Sequence, residues 1–240
     1  MNLAWAAAGA AGGLLIGAAV RGPVFRMSVP TGSPYRTACQ RCAAPLGRWP
    51  SVRCHRCRGS LGPPVALEVA TATVLALVLG RFGGRPEALA FGFLGAVGVA
   101  LAAIDLAVQR LPDRLTLTAI PVLIILLASA AVIEARAVPL VRALLGGLVM
   151  AAAFLLLALI RPGQLGGGDI KLAALLGLAL GWLGWPALLA GAALGFFLGG
   201  VGGLMLLALH RATLHSQISF GPFMLGGALI GMITIGGPGR

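Results

Sequence analysis

The sequence predicts an all-α, polytopic membrane helix bundle of about eight transmembrane helices, with one small extramembrane loop. Three observations carry that expectation. Of the 240 residues, 59% are hydrophobic and only 10% are charged, which excludes an ordinary soluble domain. Eight apolar runs can be picked out, most of them near the ~20 residues that cross a bilayer as a helix. The cations, finally, fall between these runs in a topological pattern.

The first run, Leu3–Val20, is followed by Arg21 and preceded by no Lys or Arg. A secretory signal needs a basic segment before its apolar core, so the run reads as a retained anchor with its N-terminus outside, despite the small Ala6-Ala7-Ala8 and Ala10. Arg21 to Pro64 is polar, proline-bearing and cysteine-rich, the stretch able to form a module outside the bilayer. Residues 1–64 therefore form an N-terminal anchor and loop, and residues 65–240 a compact bundle. The bundle's runs are Val65–Leu79, Ala88–Leu106, Leu115–Ile133, Val138–Ile160, Leu172–Trp185, Ala187–Leu209 and Ile218–Ile235. Its connections are short, which makes consecutive helices antiparallel neighbours. Only Trp185-Pro186 separates the sixth run from the seventh, so seven spans are an alternative; eight places the charges consistently. The glycines, as at Gly195, Gly199, Gly200, Gly202 and Gly203, suit close helix packing in lipid.

The net charge of +12 raises nucleic acid as a partner. Topology argues against it. Alternating eight spans from an outside N-terminus puts the eight arginines from Arg21 to Arg58, together with Arg110, Arg114, Arg161, Lys171 and Arg211, on one side. Arg81, Arg85, Arg136, Arg142 and Arg240 fall on the other. Thirteen against five follows the positive-inside rule, so the large loop is expected in the cytoplasm, with lipid rather than nucleic acid around the chain.

Only six residues are acidic, and the three aspartates lie near the ends of apolar segments. Asp105 sits between Ala102-Ala103-Ile104 and Leu106-Ala107-Val108; Asp113 follows Leu111-Pro112; Asp169 follows Gly166-Gly167-Gly168 and precedes Ile170-Lys171. An ionisable group at membrane depth is costly and points to function. The fourth span leads out and the fifth returns, which brings Asp105 and Asp169 to one membrane face although 64 positions separate them. Two carboxylates in reach of one water can cut a peptide bond: one takes a proton from the water, and the other, protonated, donates to the scissile carbonyl. Such a pair titrates as a unit. Glycines at 166 to 168 let backbone bend and substrate approach. Plainer readings stand beside these. Asp113 fits a helix cap, Asp105 a snorkelling interface charge, Glu68 a packing or ion-pair residue, and Glu87 and Glu134 solvated loop charges.

Ile104-Asp105, Leu111-Pro112-Asp113 and Gly166-Gly167-Gly168-Asp169-Ile170-Lys171, in that order and spacing, resemble the bacterial type IV prepilin peptidases, GxGD-type membrane aspartyl proteases. The resemblance covers about residues 10–235. It implies Asp105 and Asp169 as the catalytic pair, with Asp113, Gly166, Gly168 and Lys171 supporting. It further implies cleavage of prepilins and pseudopilins, which carry a basic leader and an apolar helix, at the cytoplasmic face of the bacterial inner membrane. Many members also methylate the new N-terminus with S-adenosylmethionine. No cofactor-binding residues are assigned for that step.

Cys39-Gln40-Arg41-Cys42 and Cys54-His55-Arg56-Cys57 form two CxxC knuckles eleven residues apart. In a reducing compartment this pattern predicts a structural zinc site with Cys39, Cys42, Cys54 and Cys57 as ligands. Arg41, Arg53, Arg56 and Arg58 would favour the thiolates, and His55 reads as a loop residue. Disulfides are the alternative should the loop face outside. The loop also resembles the N-terminal part of bifunctional prepilin peptidases, from the Gly17-to-Arg26 approach to the Pro63-Pro64-Val65-Ala66-Leu67-Glu68 exit. It is shorter than theirs: Trp49-Pro50-Ser51 is a faint echo of a Ser-Trp element, and Val20-Arg21-Gly22-Pro23-Val24-Phe25-Arg26 stands where the family has Asn and an aliphatic run. Two rival classes complete the reading. A proton- or ion-coupled transporter would hold its carboxylates near the midplane in broken helices, and a non-catalytic pilus assembly factor would not need the pair.

Overall fold

The computed structural model describes residues 1–30, 32–47, 53–62, 65–160, 166–210 and 219–235. Expectations touching Arg48, Trp49-Pro50-Ser51, Pro63-Pro64, Arg161, Arg211, Ile218 and Arg240 lie outside the described residues. Among those described, eight α-helices occur and no strand: α1 (Leu3–Met27), α2 (Ala66–Phe82), α3 (Ala88–Val108), α4 (Asp113–Ile133), α5 (Val138–Ile160), α6 (Gly167–Leu183), α7 (Trp185–Ala208) and α8 (Gly221–Thr234). Five of them, α1, α3, α4, α5 and α7, are long and apolar enough to cross a membrane. The chain forms two compact units, Met1–Arg110 and Leu111–Arg240.

In the first unit α1 lies on α2 through a ladder of small residues. Its buried positions up to the middle are Gly9, Gly13 and Gly17, four apart and so on one helix face, and Arg21 continues the series. A Cβ at these glycines would stand 2.4 Å from the Leu75 carbonyl, 2.5 Å from Ala72 Cα and 2.5 Å from Glu68 Cα. Backbone thus packs on backbone, the small-xxx-small solution to helix association in lipid. At the next step of the ladder the Arg21 guanidinium pairs with the Glu68 carboxylate. That pair explains why α1 runs past the expected end at Val20: a charge with a buried partner need not terminate a helix. Glu68 is the ion-pair residue that its flanking sequence suggested. Glu87 differs from expectation. It is buried, and its carboxylate lies 3.8 Å from Arg85, because the α2–α3 turn folds it inward rather than into solvent.

The ladder makes an opposite-sign prediction for two adjacent glycines. Gly13→Ala should destabilise the α1–α2 pair by about 1–3 kcal/mol through overpacking. Gly12→Ala meets nothing within 4 Å and should be neutral or gain up to about 1 kcal/mol of helix propensity. Thermal unfolding in detergent separates them, and equal effects would refute the ladder.

In the second unit α6 is central, packed against α4, α5, α7 and α8. Ten of its residues between Leu172 and Trp182 are buried, so this short helix is shielded mainly by protein. At its far end Arg142 of α5 donates to the Gly181 carbonyl at 2.8 Å and also to the Trp182 carbonyl, satisfying last-turn acceptors. Gly184 then breaks the chain between α6 and α7. Its φ of +132° suits glycine alone, and Pro186 in the first turn of α7 starts the new helix. The sixth and seventh apolar runs are thus two helices meeting at one glycine, of which α7 is long enough to be a candidate span.

Candidate active site and metal centre

Asp169 is built into the first turn of α6. The helix starts inside the glycine run: Gly166 is its N-cap, Gly167 and Gly168 are its first two residues, and Asp169 is the third. The Asp169 carboxylate accepts from the Gly166 N–H at 3.1 Å, closing the turn on itself. This is the return half of a capping box, because glycine has no side chain for the reciprocal bond. A carboxylate here also meets the positive end of the helix dipole. Glycine at 168 has a specific cause. A Cβ there would stand 2.8 Å from the Leu111 Cβ, so Leu111 lies directly on the helix start. At Gly167 a Cβ would meet nothing within 4 Å.

The Leu111-Pro112-Asp113 element is therefore docked on the glycine run. Asp113 opens α4, and its N-cap, Pro112, has no side chain able to cap. The Asp113 carboxylate takes the Lys171 ammonium at 2.6 Å, joining the first turn of α4 to that of α6. Asp113 is thus the first helical residue rather than the cap: its charge still lies in the first turn, at the positive end of the helix dipole, while its oxygen takes the cation. Asp113 is 65% exposed, so the pair is screened and worth at most about 1 kcal/mol.

In the first unit, Asp105 lies in the last turn of α3 and is only 5% exposed. Gln109 ends the helix in the left-handed conformation, its N–H bonded to the Asp105 carbonyl at 2.7 Å. The following Leu111-Pro112 disfavours further helix. Arg110 donates to the Pro30 carbonyl at 3.2 Å, tying the end of α3 to the start of the cysteine loop.

The four cysteines come together with their sulfurs all within 4.8 Å. Two matching turns build the cluster. In each, the amide of the first cysteine donates to a carbonyl five residues on: Cys39 to Ala44 at 2.8 Å and Cys54 to Gly59 at 2.9 Å. In each, the residue after the second cysteine, Ala43 or Arg58, has positive φ. The sulfurs are free thiols, 3.7 Å apart for Cys39 and Cys57 and 3.6 Å for Cys42 and Cys54. A metal bound at about 2.3 Å to four thiolates holds its sulfurs roughly 3.8 Å apart, so these residues fit a tetrahedral ion. Backbone amides of Cys57 and Arg56 lower the Cys54 thiol to about 6, and those of Arg41 and Cys42 lower Cys39. The Ala44 amide favours the Cys42 thiolate too, but desolvation and the three neighbouring sulfurs outweigh it and push that thiol up to about 11. Amides, rather than the arginines expected from sequence, are what favour these thiolates. The cluster that could hold a metal contains the cysteines and not His55.

Residues 92–235 match the type IV leader peptidase family. The chain belongs to that family. Two curated relatives, the prepilin leader peptidase/N-methyltransferases of Burkholderia pseudomallei strains 1026b and K96243, are each 32% identical over 206 residues. The alignments cover 80% of this chain and 65% of theirs, so the chain spans just under two thirds of their length. No solved structure matches it. Membership in the family and the five long apolar helices make this a membrane protein.

The matched segment of this leader-peptidase family member holds Asp105, Asp113 and the glycine–aspartate element, while the cysteine loop precedes it. Sequence reading missed the Leu111–Gly168 contact and the partner of Lys171. Both join positions far apart in the chain, and only order and spacing hinted that the two motifs belong together. A test follows from the unequal space around the two glycines. Gly168→Ala should cut activity by about tenfold or more, since the helix start must shift off Leu111, whereas Gly167→Ala should leave it within about twofold. Initial rates of the leader cleavage proposed below check both.

Proposed function

We propose that the chain is a membrane aspartyl endopeptidase that removes the leader from prepilins and pseudopilins, with Asp105 and Asp169 as its catalytic pair. The observation that carries this reading is the family match over 92–235, which spans both aspartates. The first-turn position of Asp169 supports it, because a dipole-favoured, backbone-held carboxylate keeps a fixed direction. In the proposed reaction one carboxylate accepts a proton as the water oxygen bonds to the scissile carbonyl carbon. The other, protonated, donates to the carbonyl oxygen. Collapse of the tetrahedral species breaks the C–N bond; the departing amine takes the proton removed from water, and the hydroxyl formed from the carbonyl oxygen returns its proton to the second carboxylate. Asp113 and Lys171 support α6 through their ion pair; Gly166 and Gly168 shape its start.

In this reading residues 65–240 carry the peptidase and residues 1–64 the anchor and cysteine module. The cation bias of the loops favours an inner-membrane protein with the aspartates and the cysteine module in the cytoplasm. Cys39, Cys42, Cys54 and Cys57 would hold zinc. Four thiolates leave it no open position, so it supplies rigidity rather than chemistry. The relatives' names include N-methyltransferase. Methylation of the new N-terminus from S-adenosylmethionine is accordingly proposed as a second, separable activity. Co-expression with a candidate prepilin, read by the mass of the product, tests both at once. Loss of the leader reports the peptidase, and one additional methyl group reports the transferase. An uncleaved product across a panel of prepilins would overturn the peptidase reading.

A further inference from the structure

Between Arg21 and Pro64 the sequence places eight arginines and no acidic residue. The seven that are described, all but Arg48, fall into two groups. Arg21 pairs with Glu68, Arg26 donates to the carbonyls of Leu46 and Gly47, and Arg36 donates to the Phe25 carbonyl at 2.9 Å while lying over the Phe25 ring. These three hold the module together. Arg41, Arg53, Arg56 and Arg58 are exposed instead, and their guanidiniums make no hydrogen bond or ion pair to any described residue. Arg41 and Arg56 occupy the inner positions of the two knuckles, whose sulfurs lie within 4.8 Å, and the Arg41 side chain reaches Gly59 of the second turn. Four unpaired guanidiniums thus share one small surface, uncompensated by any carboxylate in the loop.

The root of the module decides what anion it meets. It leaves α1 at Met27 and rejoins α2 near Ala66, and these two helices are locked together up to Arg21 and Glu68. Both ends of the loop therefore emerge from the same end of one membrane helix pair, where phosphate headgroups are dense. Guanidinium forks match phosphate oxygens two at a time. Basic segments beside a membrane helix are drawn to anionic lipid over a Debye length. We propose that Arg41, Arg53, Arg56 and Arg58 form a docking surface for anionic phospholipid headgroups, which lays the cysteine module against the membrane surface.

The test uses the full chain in nanodiscs of phosphatidylcholine, with or without phosphatidylglycerol, and amide hydrogen exchange over residues 36–60. Phosphatidylglycerol should slow exchange there by roughly tenfold, and about 0.5 M salt should reverse the effect. R41Q/R53Q/R56Q/R58Q should exchange at the unprotected rate in both discs while retaining wild-type metal content. The lipid and salt series on the unaltered chain stands even if that variant misfolds. Equal exchange in the two bilayers would overturn the proposal. So would protection that survives the four substitutions, or equal protection in phosphatidylcholine discs by inorganic phosphate, an oligonucleotide or an acidic peptide.

Discussion

Asp169→Asn should abolish cleavage of a co-expressed prepilin, and Asp105→Asn should do the same, each by a factor of about 10³ or more. The substitution at 169 is informative because it leaves the local structure in place. Asparagine keeps a side-chain oxygen able to accept from the Gly166 N–H, the 3.1 Å bond that closes the first turn of α6. At 105 the change replaces a carboxyl by an amide of the same shape at a site only 5% exposed, so the protein should accumulate normally in the membrane. Two residues acting as one unit give strongly non-additive losses, and the double variant should be no slower than either single one. Asp113→Asn provides the contrast. Its pair with Lys171 is exposed and screened, so the rate should fall by less than about tenfold. Cleavage that survives both Asp105→Asn and Asp169→Asn would sink the aspartyl mechanism. A loss at Asp113 as large as that at Asp169 would move it from support to chemistry.

The features legible in the sequence were those with a local cause. Hydrophobic run length gave eight helices, and the expected limits of α5 agree with the observed Val138–Ile160. The rarity of carboxylates singled out Asp105, Asp113 and Asp169, and the CxxC spacing singled out the sulfur cluster. Where long-range pairing decided the outcome, local reading fell short. Arg21 looked like the end of α1 because its partner, Glu68, lies 47 positions away. Lys171 had no evident partner because Asp113 is 58 positions away. The four-residue spacing of Gly9, Gly13 and Gly17 was visible, but the helix it seats could be named only from the fold. Glu87 was misread because position at a span end says nothing about which way a turn folds.

If the four cysteines hold the proposed zinc, removing it should unravel the turns at 36–47 and 53–60 and spare the helices, the second large effect expected here. Among the described residues, the buried core around the cysteine cluster is Cys39, Ala44 and Cys54, with Cys42 and Leu46 packed against it, little apolar surface to hold a fold. In the zinc reading proposed above, binding energy would therefore act as folding energy, as in other small metal-dependent modules. Chelation, or Cys54→Ser, should speed amide exchange in this segment by roughly 100-fold or more. Affinity should also fall as pH is lowered, because bound metal requires thiolates and must displace a proton from Cys42, whose thiol is pushed up to about 11. The α1–α2 pair has independent support in its glycine ladder and the Arg21–Glu68 ion pair, so its exchange should change little. Wild-type protein should carry about one zinc per chain by elemental analysis, and Cys39→Ser, Cys42→Ser and Cys57→Ser should each behave like Cys54→Ser, since a four-thiolate site has no spare ligand. An unchanged exchange pattern after complete chelation would show that the module folds without metal. Unfolding that spreads through α1 and α2 would show instead that the metal supports the whole first unit.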